Sequence, residues 1–299
     1  MSFMRLPPFE QALAACALLA GVDALIKAAA ADVSVLQIVN ARYVVGSLVL
    51  LMSVGWAGAI RLGRRELRTA LLRGVLFVAS AGLFFHALAE LALSAAVLLG
   101  FTSPIWIAIL SATALGEPLE RRAALAIGIA FAGVAAFAYG QLEAGGNLLA
   151  RDGVPALLAG MAAPVIYACA TVGFKHGVTE SNFSGTMLVQ TGAAGIVSLP
   201  AWFIGAGPVS PGIGGSLVLI GIGATVGQLL YLEALSKGST ARIAATEYTT
   251  LPWAFLLGAM FFSEMPRRVD ILASLLIIAG CALASKACES ASGPVSEAQ

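Results

Sequence analysis

The chain has 299 residues, of which 59% are apolar and only 11% charged, and its formal net charge is +1. Soluble domains carry about 25% charged residues, so this composition, with a mean hydropathy of +0.92, excludes a water-soluble globular protein and describes one solvated by lipid. The near-neutral balance gives no footing for nucleic acid or a strongly anionic surface partner, which leaves the lipid bilayer and a small-molecule substrate as the expected partners.

A helix needs roughly 20 mainly apolar residues to cross the hydrocarbon core. Ten such stretches follow one another, each bounded by charge, glycine or proline: 10–28, 34–57, 69–91, 93–115 and 122–140, then 153–174, 183–205, 213–235, 240–262 and 269–287. The fold class expected is all-α integral membrane, with no soluble domain inserted between spans. Ahead of the first span stand only Arg5 and Pro7–Pro8, and no small-residue cleavage site precedes a soluble domain, so no cleaved signal peptide is expected. The tail after Lys286, rich in Ser, Ala and Glu, reads as disordered.

Span 1 carries Asp23 and Lys27, spaced i,i+4 near its outer end, and span 2 carries Arg42. Charges at membrane depth are costly and seek partners, so these three read as a structural charge cluster. Tyr43, beside Arg42, offers an uncharged hydrogen bond at intermediate depth. The run Arg61 to Arg68 reads as a topology anchor against anionic headgroups. In span 3, His86 and Glu90 stand four apart on one helix face. They suit a proton-coupling or amine-binding pair; the plainer reading is that Glu90 ends the helix at the interface while His86 makes one structural hydrogen bond.

Pro104 in span 4 lacks a backbone donor and is expected to bend its helix, freeing carbonyl groups at mid-membrane. Trp106 follows two residues later, either as an apolar wall for a planar substrate or as ordinary packing. In the second half, Tyr167, Gln190, Gln228 and Tyr231 are uncharged groups suited to holding a zwitterion without trapping it, or to joining helices. Gly221, Gly223 and Gly227 lack the spacing of a nucleotide loop, and Gly223 and Gly227 read as close helix packing. Span 9 holds the densest polar and aromatic cluster: Glu247, Tyr248, Thr250, Pro252 and Trp253. Glu247 is a candidate for a substrate ammonium or a coupling proton, or for an internal pair with Arg242 or Lys237. Pro252 is expected to kink its helix like Pro104, and Trp253 stands in for Trp106. Cys16, Cys169, Cys281 and Cys288 have neither ligand nor disulfide spacing, so no metal and no cofactor is expected.

The second half repeats the first. At an offset of 148 residues Lys27 falls on Lys175 and Pro104 on Pro252; after a one-residue slip Glu117 falls on Glu264 and Ala132–Gly133 on Ala279–Gly280. The halves divide as 1–145 and 146–299. Basic residues set the orientation: with a cytoplasmic N-terminus, twelve of the 17 Lys and Arg lie inside, Arg73 counted among them, against Lys27, Arg151, Arg267 and Arg268 outside. Both termini are then cytoplasmic, and five helices per half thread the second copy in the opposite sense. Inverted repeats of apolar helices mark transporters that alternate access around a midplane site.

The segment Ala87–Leu88, Pro104, Glu117–Pro118 and Ala132–Gly133, repeated as Ala234–Leu235, Pro252, Glu264 and Ala279–Gly280, resembles the EamA-type helices of the drug/metabolite transporter superfamily. Arg42 looks like that family's arginine, with Gln190 as its repeat mate. Among the branches, the chain is most similar to amino-acid exporters, in particular the YddG-type exporters of aromatic amino acids. The resemblance implies a ten-helix bundle of two inverted repeats in the bacterial inner membrane, with a central cavity lined by both halves.

Together these readings lead to a secondary transporter exporting small amphipathic metabolites, amino acids and aromatic ones among them. There is no Walker motif to support primary pumping, so energy comes from the substrate gradient or a coupled ion, with Glu247, His86 and Glu90 as the proton candidates. A rival is an exporter of cationic drugs, which a deep carboxylate beside aromatic rings, Glu247 with Tyr248 and Trp253, would serve. An intramembrane enzyme is the remote alternative, since a hydrolase needs a nucleophile with a positioned base and only His86 and His176 offer imidazoles.

Overall fold

The computed structural model describes residues 7–54, 62–114, 153–172, 183–203, 210–237 and 245–291, with scattered helical positions between 125 and 139. Most of the fifth expected span, Glu117–Pro118, Lys175, His176 and Arg242 lie outside the described residues, as do the side chains of Pro104 and Tyr248. All described elements are helical. They are α1 (Pro8–Ala29), α2 (Val35–Val54), α3 (Arg64–Glu90), α4 (Leu93–Gly100), α5 (Ser103–Ala114), α6 (Gly153–Val172), α7 (Phe183–Ser198), α8 (Pro211–Lys237), α9 (Thr250–Phe262) and α10 (Arg268–Ala291). Tight 3₁₀ turns cover Leu199–Trp202 and Ala245–Thr249. Within these, Pro8–Ala29, Val35–Ser53, Arg64–Glu90, Gly153–Val172 and Pro211–Tyr231 are long and apolar enough to cross a membrane.

Local chemistry sets the helix starts. α1 begins with Pro8 at its first position, where the missing N–H costs nothing. At the start of α2, Ser34 and Gln37 form a reciprocal box: the Ser34 N–H donates to Gln37 Oε1 at 2.9 Å, and the Gln37 N–H to Ser34 Oγ at 3.3 Å. Before α3 the Gly63 N–H donates to the Glu66 carboxylate at 2.9 Å. Before α10 the Arg267 N–H donates to Asp270 at 3.0 Å.

The contacts fix the sense of each helix. Phe77, Ser80 and Ala87 of α3 meet Tyr167, Ala163 and Gly160 of α6, so these two run antiparallel. α1 and α8 are antiparallel as well, with Gln11 on Leu230, Leu19 on Gly227 and Val22 on Gly223. So are α2 and α7, where Asn40 meets Ser198 and Gly46 meets Thr191. α1, α3 and α9 finish at one common end, where Lys27, Leu91 and Glu264 gather.

Helices in lipid have no hydrophobic drive toward one another, so close approach of backbones and interhelical hydrogen bonds hold them together. A Cβ added to Gly221 would stand 2.4 Å from Val45 Cβ, and one on Gly223 2.8 Å from Val22. Gly223 and Gly227, the latter with an added Cβ 3.0 Å from Leu19, are the packing residues the sequence indicated, and Gly221 extends their surface. Asn40 supplies the polar counterpart: its Nδ2 donates to Gly195 O and Ser198 Oγ at 2.8 and 3.0 Å, and its Oδ1 accepts from Trp202 Nε1 at 2.7 Å. Leu72, Leu219, Met260 and Leu272 are exposed, as a surface wetted by acyl chains requires.

Spans 4 and 9 are broken rather than bent, which corrects the expectation for Pro104 and Pro252. α4 stops at Gly100, residues 101–102 turn, and α5 starts at Ser103, so Pro104 is its second residue. Likewise the 3₁₀ turn Ala245–Thr249 gives way to α9 at Thr250, so Pro252 is its third. A proline in the first turn has no intrahelical bond to lose. Both prolines therefore stand just past a break, at matching places in the sequence repeat. At the first break the Thr102 hydroxyl donates to Leu99 O at 2.8 Å, and the N–H groups of Ile105 and Trp106 return to Thr102 O.

Candidate transport site

Tyr167, in the second half of α6, is the hub of the polar interior. Its ring meets Phe77 of α3 edge-on, 5.5 Å between centroids at 63°. Arg73, one turn before Phe77, lies 5.3 Å over the same ring, a cation held on an aromatic face. The Tyr43 hydroxyl of α2 donates to Phe77 O at 3.2 Å. Glu247, Arg73 and Arg42 act electrostatically on Tyr167, so two further helices, α2 and α3, and a 3₁₀ turn meet this residue of α6. Tyr167 is nonetheless 40% exposed.

A second group adjoins it. The Tyr231 hydroxyl of α8 hydrogen-bonds the Glu247 carboxylate, and Tyr231 also senses Cys16 and Tyr167. Cys16 Sγ lies 3.7 Å from Thr246 Oγ1. Glu247 itself stays exposed. The 3₁₀ turn explains its placement: a tighter winding than the α-helix sets Glu247 just ahead of the break that leads to Pro252.

The structure thus brings Tyr43, Tyr167, Tyr231 and Glu247 into one network and adds Arg73. Arg73 was counted with the cytoplasmic anchors; it sits well inside α3, and its position within the span 69–91 was the available signal. His86 is half-buried and Glu90 exposed at the last residue of α3, and no side-chain bond among the described residues ties either to the network. Gln190 is half-buried and Gln228 exposed. Trp106 is half-buried in the first turn of α5, and Trp253 is 41% exposed in the first turn of α9.

The expected cluster of Asp23, Lys27 and Arg42 is divided. Lys27 pairs with Glu264 of the opposite half at 3.0 Å, donates to Leu88 O at 3.2 Å and to Leu91 O, and lies 5.3 Å over the Phe262 ring. The other Glu264 oxygen accepts the Leu93 N–H at 2.7 Å, one of the donors a helix start leaves open. Arg42 lies 5.4 Å over Phe85, and Asp23 interacts with it electrostatically without an ion-pair contact. Lys27 thus joins two halves of the chain at one end of the bundle, while Asp23 and Arg42 remain with the interior.

Membrane-length apolar helices around a core of tyrosines and opposite charges define a multi-pass membrane transporter. The chain belongs to the EamA-like transporter family, whose pattern matches residues 11–139 and 154–286. It is 26% identical over 270 residues to the pseudopaline exporter CntI of Pseudomonas aeruginosa strain UCBPP-PA14, covering 89% of this chain and 91% of that protein. The CntI of strain PAO1 matches with the same identity and coverage. A crystal structure of a protein at 20% identity superposes with a TM-score of 0.61, covering 95% of this chain and 96% of that one, which shows a shared fold.

Proposed function

We propose that this protein exports small zwitterionic metabolites of the amino-acid class, aromatic ones among them, across the bacterial inner membrane. The observation that carries this is the Tyr167 network: both signs of charge and several aromatic rings, from both halves of the chain, gathered around one phenol. Such a lining suits a solute with an ammonium, a carboxylate and an apolar side chain. The curated relatives support the direction, being exporters of pseudopaline.

Access alternates as residues 1–145 rock against 146–299, ten spans in two inverted repeats with both termini cytoplasmic. The antiparallel course of α6 against α3, with α3 ending beside α1, supports the inversion. The paired breaks before Pro104 and Pro252 support a site at the midplane, where discontinuous helices present unpaired backbone groups.

Counterflow into proteoliposomes preloaded with L-phenylalanine tests the reading. Saturable uptake of labelled phenylalanine against unlabelled is expected, and no exchange with any amino acid would refute it. Repeating the assay under an imposed pH gradient separates proton-coupled from uncoupled transport. A second reading, export of organic cations, is favoured by the exposed Glu247 carboxylate beside Tyr231. Glu247→Gln divides the two: a cation exporter loses transport, whereas a zwitterion exporter that reads charge elsewhere retains it.

A further inference from the structure

An ammonium carries three N–H donors, and Lys27 Nζ places all of them on protein: Glu264 Oε1 at 3.0 Å, Leu88 O at 3.2 Å and Leu91 O. The Phe262 ring lies over it at 5.3 Å. Glu264 is as fully occupied, its second oxygen accepting the Leu93 N–H at 2.7 Å. Both side chains are largely buried. The last turn of α1, the end of α3, the start of α4 and the link after α9 therefore meet in one contact. Phe262 and Glu264 come from the second half of the chain, and the rest from the first.

The backbone is shaped to deliver the carboxylate. Ser263 is left-handed at φ 56°, the one non-glycine residue with positive φ among the described residues, and the Glu264 N–H returns to Gly258 O at 3.0 Å. This helix ending usually takes glycine; a serine persists there when the surrounding contacts hold it. Gly258 leaves the room required, since an added Cβ would stand 3.1 Å from Glu264 Oε2. Both members of the bridge also recur in the sequence repeat, Lys27 as Lys175 and Glu264 as Glu117, which ties the bridge to the duplicated framework rather than to one loop.

The helices held by this bridge are the discontinuous ones. α4 runs only from Leu93 to the break at 101–102, and α9 only from the turn Ala245–Thr249 to Phe262. They pack on each other, and α9 packs on α1 as well. A short helix with a break at one end and a bridge at the other pivots at the break once the bridge parts, because a few residues at element ends absorb hinge motion. Parting also returns the ammonium and the carboxylate to water, which offsets much of the lost contact. The bridge is therefore reversible.

We propose that Lys27–Glu264 is the outer gate of the transporter. Joined, it seals the outer end; parted, it lets α4 and α9 pivot at their breaks and opens the interior to the outside. The gate rests on the alternating-access reading above, in which this end faces outward.

Spin labels on Asp32→Cys and Met265→Cys, exposed positions either side of the bridge, read its separation by pulsed electron paramagnetic resonance. The protein is full-length, otherwise cysteine-free and held in lipid nanodiscs, and no substrate is needed. With Lys27 and Glu264 intact, one short separation predominates. Glu264→Gln, which keeps an acceptor for the Leu93 N–H, and Lys27→Met each raise the ratio of a longer separation to the short one by about tenfold, the worth of one charge-assisted hydrogen bond. A melting temperature shows that each variant is folded, and Glu264→Gln decides the matter if Lys27→Met is not. Should the folded variants melt lower yet keep the wild-type distances, the bridge is a structural brace and the gate is overturned. A lengthened separation in protein that exchanges no amino acid in counterflow upholds the gate and refutes the substrate alone.

Discussion

Glu264 shows how much one side chain can hold. Its two oxygens serve different masters, the Lys27 ammonium at 3.0 Å and the Leu93 N–H at 2.7 Å, so removing it strands a cation and a helix-start donor at once. Glu264→Ala is expected to cost about 3 kcal/mol in unfolding free energy, because an uncompensated charge is worse than none. The double variant Lys27→Met with Glu264→Leu should recover most of that loss in the same denaturation measurement. Had the ion pair been merely superficial, both variants would unfold alongside wild type. Lys27 and Glu264 were each singled out in the sequence, one as a member of a charge cluster and the other by its repeat mate. Their pairing was not legible, because nothing in the spacing of one helix tells which distant loop returns to its end. Arg73 was counted on the cytoplasmic side, and its seat on the Phe77 ring was not legible from that count. Tyr167 had the right chemistry assigned, but its central place comes from antiparallel packing of α3 on α6, which composition does not encode.

The pairs of helices depend on what their meeting residues lack. Gly221 leaves room for Val45 and Gly74 for the Gln190 carbonyl, where an added Cβ would stand at 2.4 and 2.7 Å. Gly221→Ala should therefore destabilise by about 1–3 kcal/mol through overpacking. Gly21→Ala on α1, with nothing within 4 Å of the added atom, should be neutral or gain up to about 1 kcal/mol from helix propensity. Thermal unfolding of the two variants side by side checks the contrast. The discontinuous spans yield a second expectation. Since Pro104 and Pro252 lie in the first turns of α5 and α9, Pro104→Ala and Pro252→Ala should each cost less than about 1 kcal/mol and leave transport within about twofold. A tenfold drop in counterflow would instead mean that the rings themselves set the geometry. The helices were readable from apolar length, and the Ser34–Gln37 box that starts α2 was there to be read as well. The breaks were not, because a hydropathy profile runs smoothly through 101–102 and through 245–249.

At the scale of the molecule, the course of the chain decides which loops share a face. α3 begins near Arg65 and ends beside Lys27, and α10 begins at Arg268 next to that same end. On a cysteine-free background, Arg65→Cys should therefore react with an impermeant thiol reagent only after the cell is opened, and Arg268→Cys in intact cells. Labelling of both from one side would undo the ten-span threading and the inversion with it. The charge rule had Arg267 and Arg268 as exceptions, and in the structure Arg267 is held by Asp270, Nε to Oδ2 at 3.1 Å, so its charge is matched locally. The family was readable from short repeated motifs. The substrate was not, since what a transporter carries depends on side chains that come together only when the helices do.

The joint at Lys27 has a mechanical corollary. The ammonium is seated on the carbonyls of Leu88 and Leu91, and its carboxylate partner, in the short link after α9, on the first amide of α4, so the clasp ties that link to the tips of three helices. A fastening of this kind has little give: a small displacement spoils several polar contacts together, and half-parted arrangements gain nothing from lingering. Movement of the two halves at that end should accordingly snap between shut and released, with the membrane crossing timed by how often the clasp lets go.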